Sequence, residues 1–237
     1  MPIYHAPIRD MQFAYYELND GESLRQLPGY EEVDRETVMA ILEEAGKFAS
    51  EQLLPINRAG DEVGCQWKDG KVITPDGFKE AYHAFIEAGW NSIAFDPAYG
   101  GQGLPKSLHM LVDEMLCACN LSFSLYPGLT NGAWTALESH ASQALKEIFF
   151  PKMANGVWSG SMCLTEPQCG SDLGLLRTKA EPQEDGSYRI TGTKIFITAG
   201  EHDLTENIIH LVLARTLDAP AGIKGVSLFV VPKILID

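Results

Sequence analysis

The period of the apolar residues changes once along this chain, near Gly156. Before Gly156, apolar residues recur every three or four positions, as in Val38, Ile41, Leu42 and Ala45, which indicates helices with one buried face. After Gly156, β-branched and aromatic residues predict strands over residues 157–165, 188–198, 207–215 and 225–231. Helices followed by strands predict an α+β chain rather than a doubly wound sheet.

The helical part carries several signals for helix ends. Thr74 is a predicted N-cap with Pro75 at the first helical position, and Gly89 is expected to end that helix. Pro105 predicts the start of the next helix, and Ser142 is the predicted N-cap of another. We therefore expect a set of helices that are joined by short connections.

Length and charge limit what the protein can do. The chain has 237 residues, of which 45% are hydrophobic, so it can bury a core without disulfides or metals. It has 18 basic and 32 acidic residues and a net charge of −14. This charge argues against nucleic acid or an anionic membrane as a partner, because phosphate binding requires a basic field.

The cysteines and the N-terminus predict a cytoplasmic protein. The chain has five cysteines, and none of them has C-x-x-C spacing, so we expect reduced thiols and no metal site. The first ten residues lack the apolar stretch of a signal peptide. The longest apolar runs are also too short to cross a bilayer.

A glycine-rich segment at residues 100–103 invites comparison with a dinucleotide-binding loop. That fingerprint requires a third glycine where this chain has Lys106, and a strand before the loop. We therefore predict a tight loop between helices. The chain also lacks a G-x-S-x-G sequence, and its histidines are scattered, so neither a hydrolase triad nor a metal centre is predicted.

The segment at residues 162–172 has more chemical content. A predicted strand ends at Thr165, Glu166 precedes a proline and must be extended, and Gly170 permits a turn. Such a loop can present N–H groups and hydroxyls to a polar heterocycle or an anionic oxygen. From these residues alone, a plain surface turn is equally compatible.

Three ordered motifs resemble those of the acyl-CoA dehydrogenases. Residues 163–172 resemble the family's C-x-T-E-P-x-x-G-S-D signature, residues 96–104 its Y-G-G-x-G loop, and residues 190–198 its G-x-K-x-W/F-I-T segment. The first eleven residues are similar to the N-terminal extension of the family's long subfamily. The resemblance covers almost the whole chain.

The resemblance implies an α+β architecture with three parts in this chain. Residues 1–34 would form an arm that packs on the body or on a partner subunit, residues 35–157 the helical N-terminal domain, and residues 158–237 the β middle domain. The middle domain would be antiparallel and barrel-like, and it is expected to be truncated. The family's C-terminal four-helix domain would be absent from this chain.

The resemblance also implies the residues of a cofactor and substrate site. The expected FAD-binding residues are Met162, Leu164, Thr165, Ser171, Phe196, Ile197 and Thr198. The expected substrate-binding residues are Ser171, Tyr126 and Leu129, although a helix core is equally compatible with the last two. In the family the base is a glutamate of the C-terminal domain, so no catalytic residue is expected here, and Glu166 is assigned a structural position.

The implied activity is that of an FAD-dependent acyl-CoA dehydrogenase. It would remove the α proton of a short acyl-CoA, such as 3-methylmercaptopropionyl-CoA, and transfer the β hydride to flavin N5. Electron-transfer flavoprotein would be the acceptor, and the enzyme would be a homodimer or homotetramer, while residues 1–237 alone would be inactive. Two alternatives remain open: an acyl-CoA oxidase, and an alkylation-stress flavoprotein of the same architecture that binds DNA, against which the negative charge argues.

Overall fold

The computed structural model describes residues 3–236, which contain a helical part and a β part. The helices are α1 (Ile8–Gln12), α2 (Arg35–Phe48), α3 (Leu54–Val63), α4 (Phe78–Glu87), α5 (Lys106–His140) and α6 (Gln143–Ala154). A π-helical turn at Ala49–Leu53 joins α2 to α3. Among residues 3–236, none of the helices is both long enough and apolar enough to cross a lipid bilayer.

The strands form a small hairpin and one larger sheet. The strands are β1 (Gln66–Lys68), β2 (Lys71–Ile73), β3 (Trp158–Cys163), β4 (Lys179–Pro182), β5 (Tyr188–Thr191), β6 (Asn207–Thr216) and β7 (Ser227–Pro232). β1 and β2 form the hairpin, and the sheet has the order β3-β6-β4-β5, with β7 also paired to β6. The α+β architecture is thus confirmed.

The sheet is mixed, so the prediction of an antiparallel middle domain was wrong in this respect. β6 runs parallel to both β3 and β4, whereas the β4–β5 and β6–β7 pairs are antiparallel. Parallel neighbours require a long connection. The connection between β3 and β6 contains β4 and β5 and is long enough to return the chain in the same direction.

The prediction of a strand over residues 188–198 was also wrong beyond Thr191, where β5 ends. Phe196 and Ala199 have φ angles of 57° and 52°. The left-handed residues Phe196 and Ala199 cannot continue a strand, so the segment after Thr191 stays outside the sheet.

The predicted helix start at Thr74 was wrong. α4 begins at Phe78, after Gly77, whose φ of 87° suits only glycine. Thr74 lies three positions before the N-cap residue Gly77, and its hydroxyl donates to Asp203 at 2.8 Å. The other ends agree with prediction: Gly89 follows the end of α4, α5 starts directly after Pro105, and Ser142 Oγ accepts from the amide of Leu145.

Helix α5 is broken in the middle and folds back on itself. Asn120 has φ −158° and ψ 85°, outside the helical region. Its side chain donates to the carbonyl of Leu53 at 3.2 Å and accepts from the amide of Phe123 at 3.0 Å, so it caps the second arm. Contacts of His109 with Asn131 show that the two arms, 106–119 and 121–140, lie side by side.

An aromatic stack joins the second arm of α5 to the sheet. Trp134 lies between Phe95 and Phe150, with ring centroids 4.0 and 3.8 Å away. Ile209 and Leu211 of β6 belong to the same buried cluster. This cluster fixes β3 and β6 against the helices.

The N-terminal arm packs on the body. Met11 and Tyr15 are buried in the core cluster that contains Leu42 and Phe85. The predicted tight loop before α5 is also confirmed: Gly100 and Gly103 have positive φ angles, and Gly101 approaches the carbonyl of Phe95 too closely for any Cβ.

Candidate functional site

The candidate site lies at the carboxyl end of β3, where the strand continues into the loop of residues 164–172. Met162 faces the helices and packs against the cluster around Trp134. Leu164 and Thr165 are partly buried at the strand end, and Ser171 is exposed farther along the loop. The predicted residues of this segment therefore follow one path from the core to the surface.

Glu166 turns inward and holds the loop together. Its side chain is buried, at 3% exposure, and accepts from the amide of Arg177, from the amide and hydroxyl of Thr178, and from Lys194 Nζ at 2.9 Å. Burial alone would raise the pKa of Glu166, but these hydrogen bonds outweigh it and lower the pKa to about 2. Glu166 is thus a permanently ionised structural group.

The segment at residues 194–199 lies beside this loop. The amide of Ile195 donates to the carbonyl of Thr165 at 3.0 Å, and Lys194 Nζ donates to the carbonyl of Leu164 at 3.1 Å. These bonds bring Phe196 and the neighbouring residues 197–198 to the end of β3. The structure therefore collects most of the predicted cofactor residues in one place.

Phe196 is presented to the solvent in a strained conformation. Its side chain is 88% exposed, and its backbone is left-handed. A non-glycine residue in this region costs about 1–3 kcal/mol and persists only where the surroundings hold it. Such strain in an exposed aromatic residue indicates a functional rather than a packing role.

A flat, polar heterocycle fits this surface. The ring of Phe196 offers an exposed aromatic face, and hydroxyls of Thr165, Ser171 and Thr198 lie on the same two segments. Within residues 3–236, the amides of Ile197 and Thr198 donate to no other group. Such a surface can stack on a flat ring and hydrogen-bond to its polar edge.

A pocket of about 380 Å³ opens behind Phe196. Lys194, Phe196 and Ile197 line one side of it, and Cys163 and His210 line another. His210 Nδ1 lies 2.6 Å from Ser161 Oγ, and burial lowers the pKa of His210, so the ring is neutral at pH 7.

All five cysteines lie in the described residues and are free thiols.

Tyr126 and Leu129 lie on the second arm of α5, which β3 crosses. Tyr126 contacts Cys65 at 3.4 Å and packs edge-to-face on His202. The carbonyl of Leu129 lies against Gly160, in the middle of the strand. The structure does not bring these two residues to the candidate cofactor site, and their substrate contacts remain a prediction.

A buried serine and histidine meet without forming a hydrolase site. Ser159 Oγ lies 3.0 Å from His202 Nε2, and His202 Nδ1 accepts from the amide of Leu204 at 3.2 Å. Nε2 therefore carries the proton and donates to Ser159, so this histidine cannot act as a base toward the serine. Sequence reasoning missed the pair because its members are 43 positions apart.

A second cavity, of about 410 Å³, lies between the two arms of α5. Its lining includes Trp90, Asn91 and His109, together with Gly128 and Gly132 of the second arm. Trp90 Nε1, Asn91 Oδ1 and His109 Nδ1 are buried and have no partner among residues 3–236. Because these three atoms are shielded from solvent, none of them is offered to a molecule in the cavity.

Two family models match the chain. The acyl-CoA dehydrogenase N-terminal domain matches residues 35–157, and the acyl-CoA dehydrogenase middle domain matches residues 161–235. The chain therefore belongs to the acyl-CoA dehydrogenase family.

Individual relatives agree with this assignment. The 3-methylmercaptopropionyl-CoA dehydrogenase of Ruegeria pomeroyi is 48% identical over 98% of this chain and 40% of its own length. A butyryl-CoA dehydrogenase of Syntrophomonas wolfei is 38% identical over 99% of this chain and 39% of its own length. The chain thus spans two fifths of the length of these curated relatives.

A solved structure shares the fold. An acyl-CoA dehydrogenase from Bacillus anthracis, complexed with FAD, superimposes with a TM-score of 0.67 and 22% identity. The match covers 86% of this chain and 31% of that one.

Proposed function

We propose that the complete protein is an FAD-dependent acyl-CoA dehydrogenase that introduces a double bond between the α and β carbons of a short acyl-CoA. The observation that carries the proposal is the pairing of loop 164–172 with segment 194–199, which joins two of the family's motifs into one surface. FAD, when bound, supplies the acceptor for the hydride that leaves the β carbon.

The residues at the end of β3 would hold the cofactor in distinct ways. Phe196 stacks on the ring system, and Met162 and Leu164 supply apolar contacts. Thr165 and Thr198 hydrogen-bond its polar edge, together with the amide of Ile197. The exposed Ser171 lies farther out, where the cofactor phosphate and acyl-CoA would meet.

Glu166 is not the base in this proposal. An effective general base has a pKa near the working pH and a free lone pair toward the substrate. Glu166 has a pKa of about 2, and both of its oxygens accept hydrogen bonds within the chain. We therefore assign the base to a carboxylate outside residues 1–237, as in the family.

The proposed substrate contacts are those of Ser171, Tyr126 and Leu129, which the family resemblance implies. The names of the two curated relatives support 3-methylmercaptopropionyl or butyryl groups as substrates.

The remaining parts of the proposal follow from the family resemblance. Electron-transfer flavoprotein is the electron acceptor, and the enzyme is a homodimer or homotetramer of the cytoplasm. Its parts within this chain are an arm of residues 1–34, a helical domain of residues 35–157 and a β domain of residues 158–237.

The test is a comparison of acyl-CoA substrates with the complete, FAD-loaded protein and a dye acceptor. We expect bleaching of the flavin absorbance and a higher kcat/KM for 3-methylmercaptopropionyl-CoA than for butyryl- or octanoyl-CoA. A preference for octanoyl-CoA would overturn the substrate assignment, and no bleaching with any acyl-CoA would overturn the activity. Rapid peroxide release in air would instead identify an oxidase.

A further inference from the structure

The left-handed turn that presents Phe196 is attached to the body by few bonds. β5 ends at Thr191, and the main chain then makes one hydrogen bond to the loop after β3, from the amide of Ile195 to Thr165. A second bond, from Gly200 to Ile197, closes the turn on itself. The exposed ring of Phe196 adds little packing. The position of the turn therefore depends on its side-chain anchors.

Lys194 is the anchor that lies nearest to Phe196 in the chain. Its side chain is 11% exposed, and its ammonium lies between the carbonyl of Leu164 and the carboxylate of Glu166. The second carboxylate oxygen of Glu166 accepts from the amide of Arg177. This bond holds in place the carboxylate with which Lys194 pairs. Hydrogen bonds between charged groups are short, strong and directional, which makes this pair suited to fixing a position.

The turn itself is too tight to absorb a displacement. A Cβ at Gly200 would lie 2.7 Å from the side chain of Ile197, so residues 197–200 behave as one compact unit. Lys194 precedes Phe196 by two residues, and its bonds together with that of the Ile195 amide hold the start of this turn against the loop after β3.

We propose that Lys194 is a positioning residue, which holds Phe196 and Thr198 against the flavin through its bonds to Glu166 and to the carbonyl of Leu164. The part that concerns the flavin rests on the proposed function. The part that concerns the turn can be measured without a cofactor.

The experiment uses three variants of the complete protein. Lys194→Met keeps the length of the stem and removes the ammonium, while Lys194→Arg retains a charged donor. Lys233→Met is the matched control, because Lys233 pairs with Glu201 beside the same turn but is more than one-third exposed. Hydrogen exchange of the flavin-free proteins is measured at the amides of Ile195 and Gly200 and along β6.

Lys194→Met is expected to exchange about tenfold faster at Ile195 and Gly200, while β6 is unchanged, because a charge-assisted hydrogen bond is lost. FAD should bind about tenfold more weakly to this variant, and the fluorescence of the bound flavin should rise. Lys194→Arg should recover most of both properties, and Lys233→Met should match the wild type.

Wild-type exchange at Ile195 and Gly200 in Lys194→Met would overturn the positioning role. If β6 also exchanges faster, the variant has lost its fold, and Glu166→Gln, which keeps the side-chain shape, decides the question by the same local readout. A wild type that binds no FAD would refute the proposed function, while the exchange data would still decide the role of Lys194.

Discussion

Asp203 Oδ1 accepts hydrogen bonds from both the amide and the hydroxyl of Thr74, at 3.1 and 2.8 Å, across 129 positions of the chain. Its other oxygen pairs with Lys79 of α4 at 2.8 Å. Asp203 precedes β6, so one carboxylate ties the β part to the helical part.

Replacing this carboxylate is expected to loosen that connection. Asp203→Ala leaves the buried hydroxyl of Thr74 without a partner and should lower the free energy of unfolding by about 1–3 kcal/mol. Glu62→Ala, which removes an exposed ion pair with Arg58, is the control. It should change the free energy of unfolding by less than about 1 kcal/mol. Urea unfolding measures both, and equal effects would contradict the interpretation.

Phe196 is expected to matter for the cofactor and not for the fold. Because its side chain is 88% exposed, Phe196→Ala should change the free energy of unfolding by less than about 0.5 kcal/mol. The loss of ring stacking should weaken FAD binding by up to about tenfold. Trp67→Ala, at a 75% exposed aromatic residue in the β1–β2 hairpin, is the control for both measurements. Unchanged FAD affinity in Phe196→Ala would refute the stacking role.

Gly160 is required where β3 crosses the second arm of α5. A Cβ at this position would lie 2.4 Å from the Cβ of Ala133 and 3.2 Å from the Cα of Thr130. Gly160→Ala should therefore lower the free energy of unfolding by about 1–3 kcal/mol through overpacking. Gly128→Ala meets nothing within 4 Å and should be neutral or stabilising by up to about 1 kcal/mol. Thermal melts of the two variants distinguish these outcomes.

The buried His202 is expected to make stability depend on pH. Burial lowers its pKa to about 4, whereas the unfolded chain binds the proton near pH 6.5. The contribution of the neutral His202 ring to the free energy of unfolding is complete above pH 6.5. It is lost as the pH falls toward 4, by about 3 kcal/mol in total. Urea unfolding at pH 7.5 and 4.5 measures this loss.

A pair of variants assigns that pH dependence to one ring. His202→Gln should flatten the decrease between the two pH values, whereas His83→Gln, at an exposed histidine, should retain it. If His202→Gln keeps the wild-type slope, the decrease arises from other groups.

Several features could be predicted because they depend on neighbours in the chain. The Ser142 cap bonds an amide three positions away, and the loop at Gly100–Gly103 needs glycines at its own positive φ angles. The turn after Thr165 follows from Pro167 and Gly170 in the same way. The order of helices and strands could be predicted for the same reason, because the period of the apolar residues is a local property of the chain.

The features that sequence reasoning missed depend on distant partners. Residues 188–198 have the composition of a strand, yet the chain leaves the sheet near Lys194, whose ammonium is bonded to Glu166, 28 positions away. The parallel pairing of β3 with β6 depends on the path of the whole intervening connection. The break at Asn120 is stabilised by the carbonyl of Leu53, 67 positions away.

The amino-acid order alone was thus sufficient for the α+β class, the family and the two segments of the candidate site, because each is encoded in a short stretch of residues. Tertiary contacts decided that Phe196 is left-handed and exposed, that Glu166 is a buried structural ion and that Tyr126 packs on His202. The physical reason is that burial and long-range hydrogen bonds can outweigh local preferences worth about 1 kcal/mol per residue.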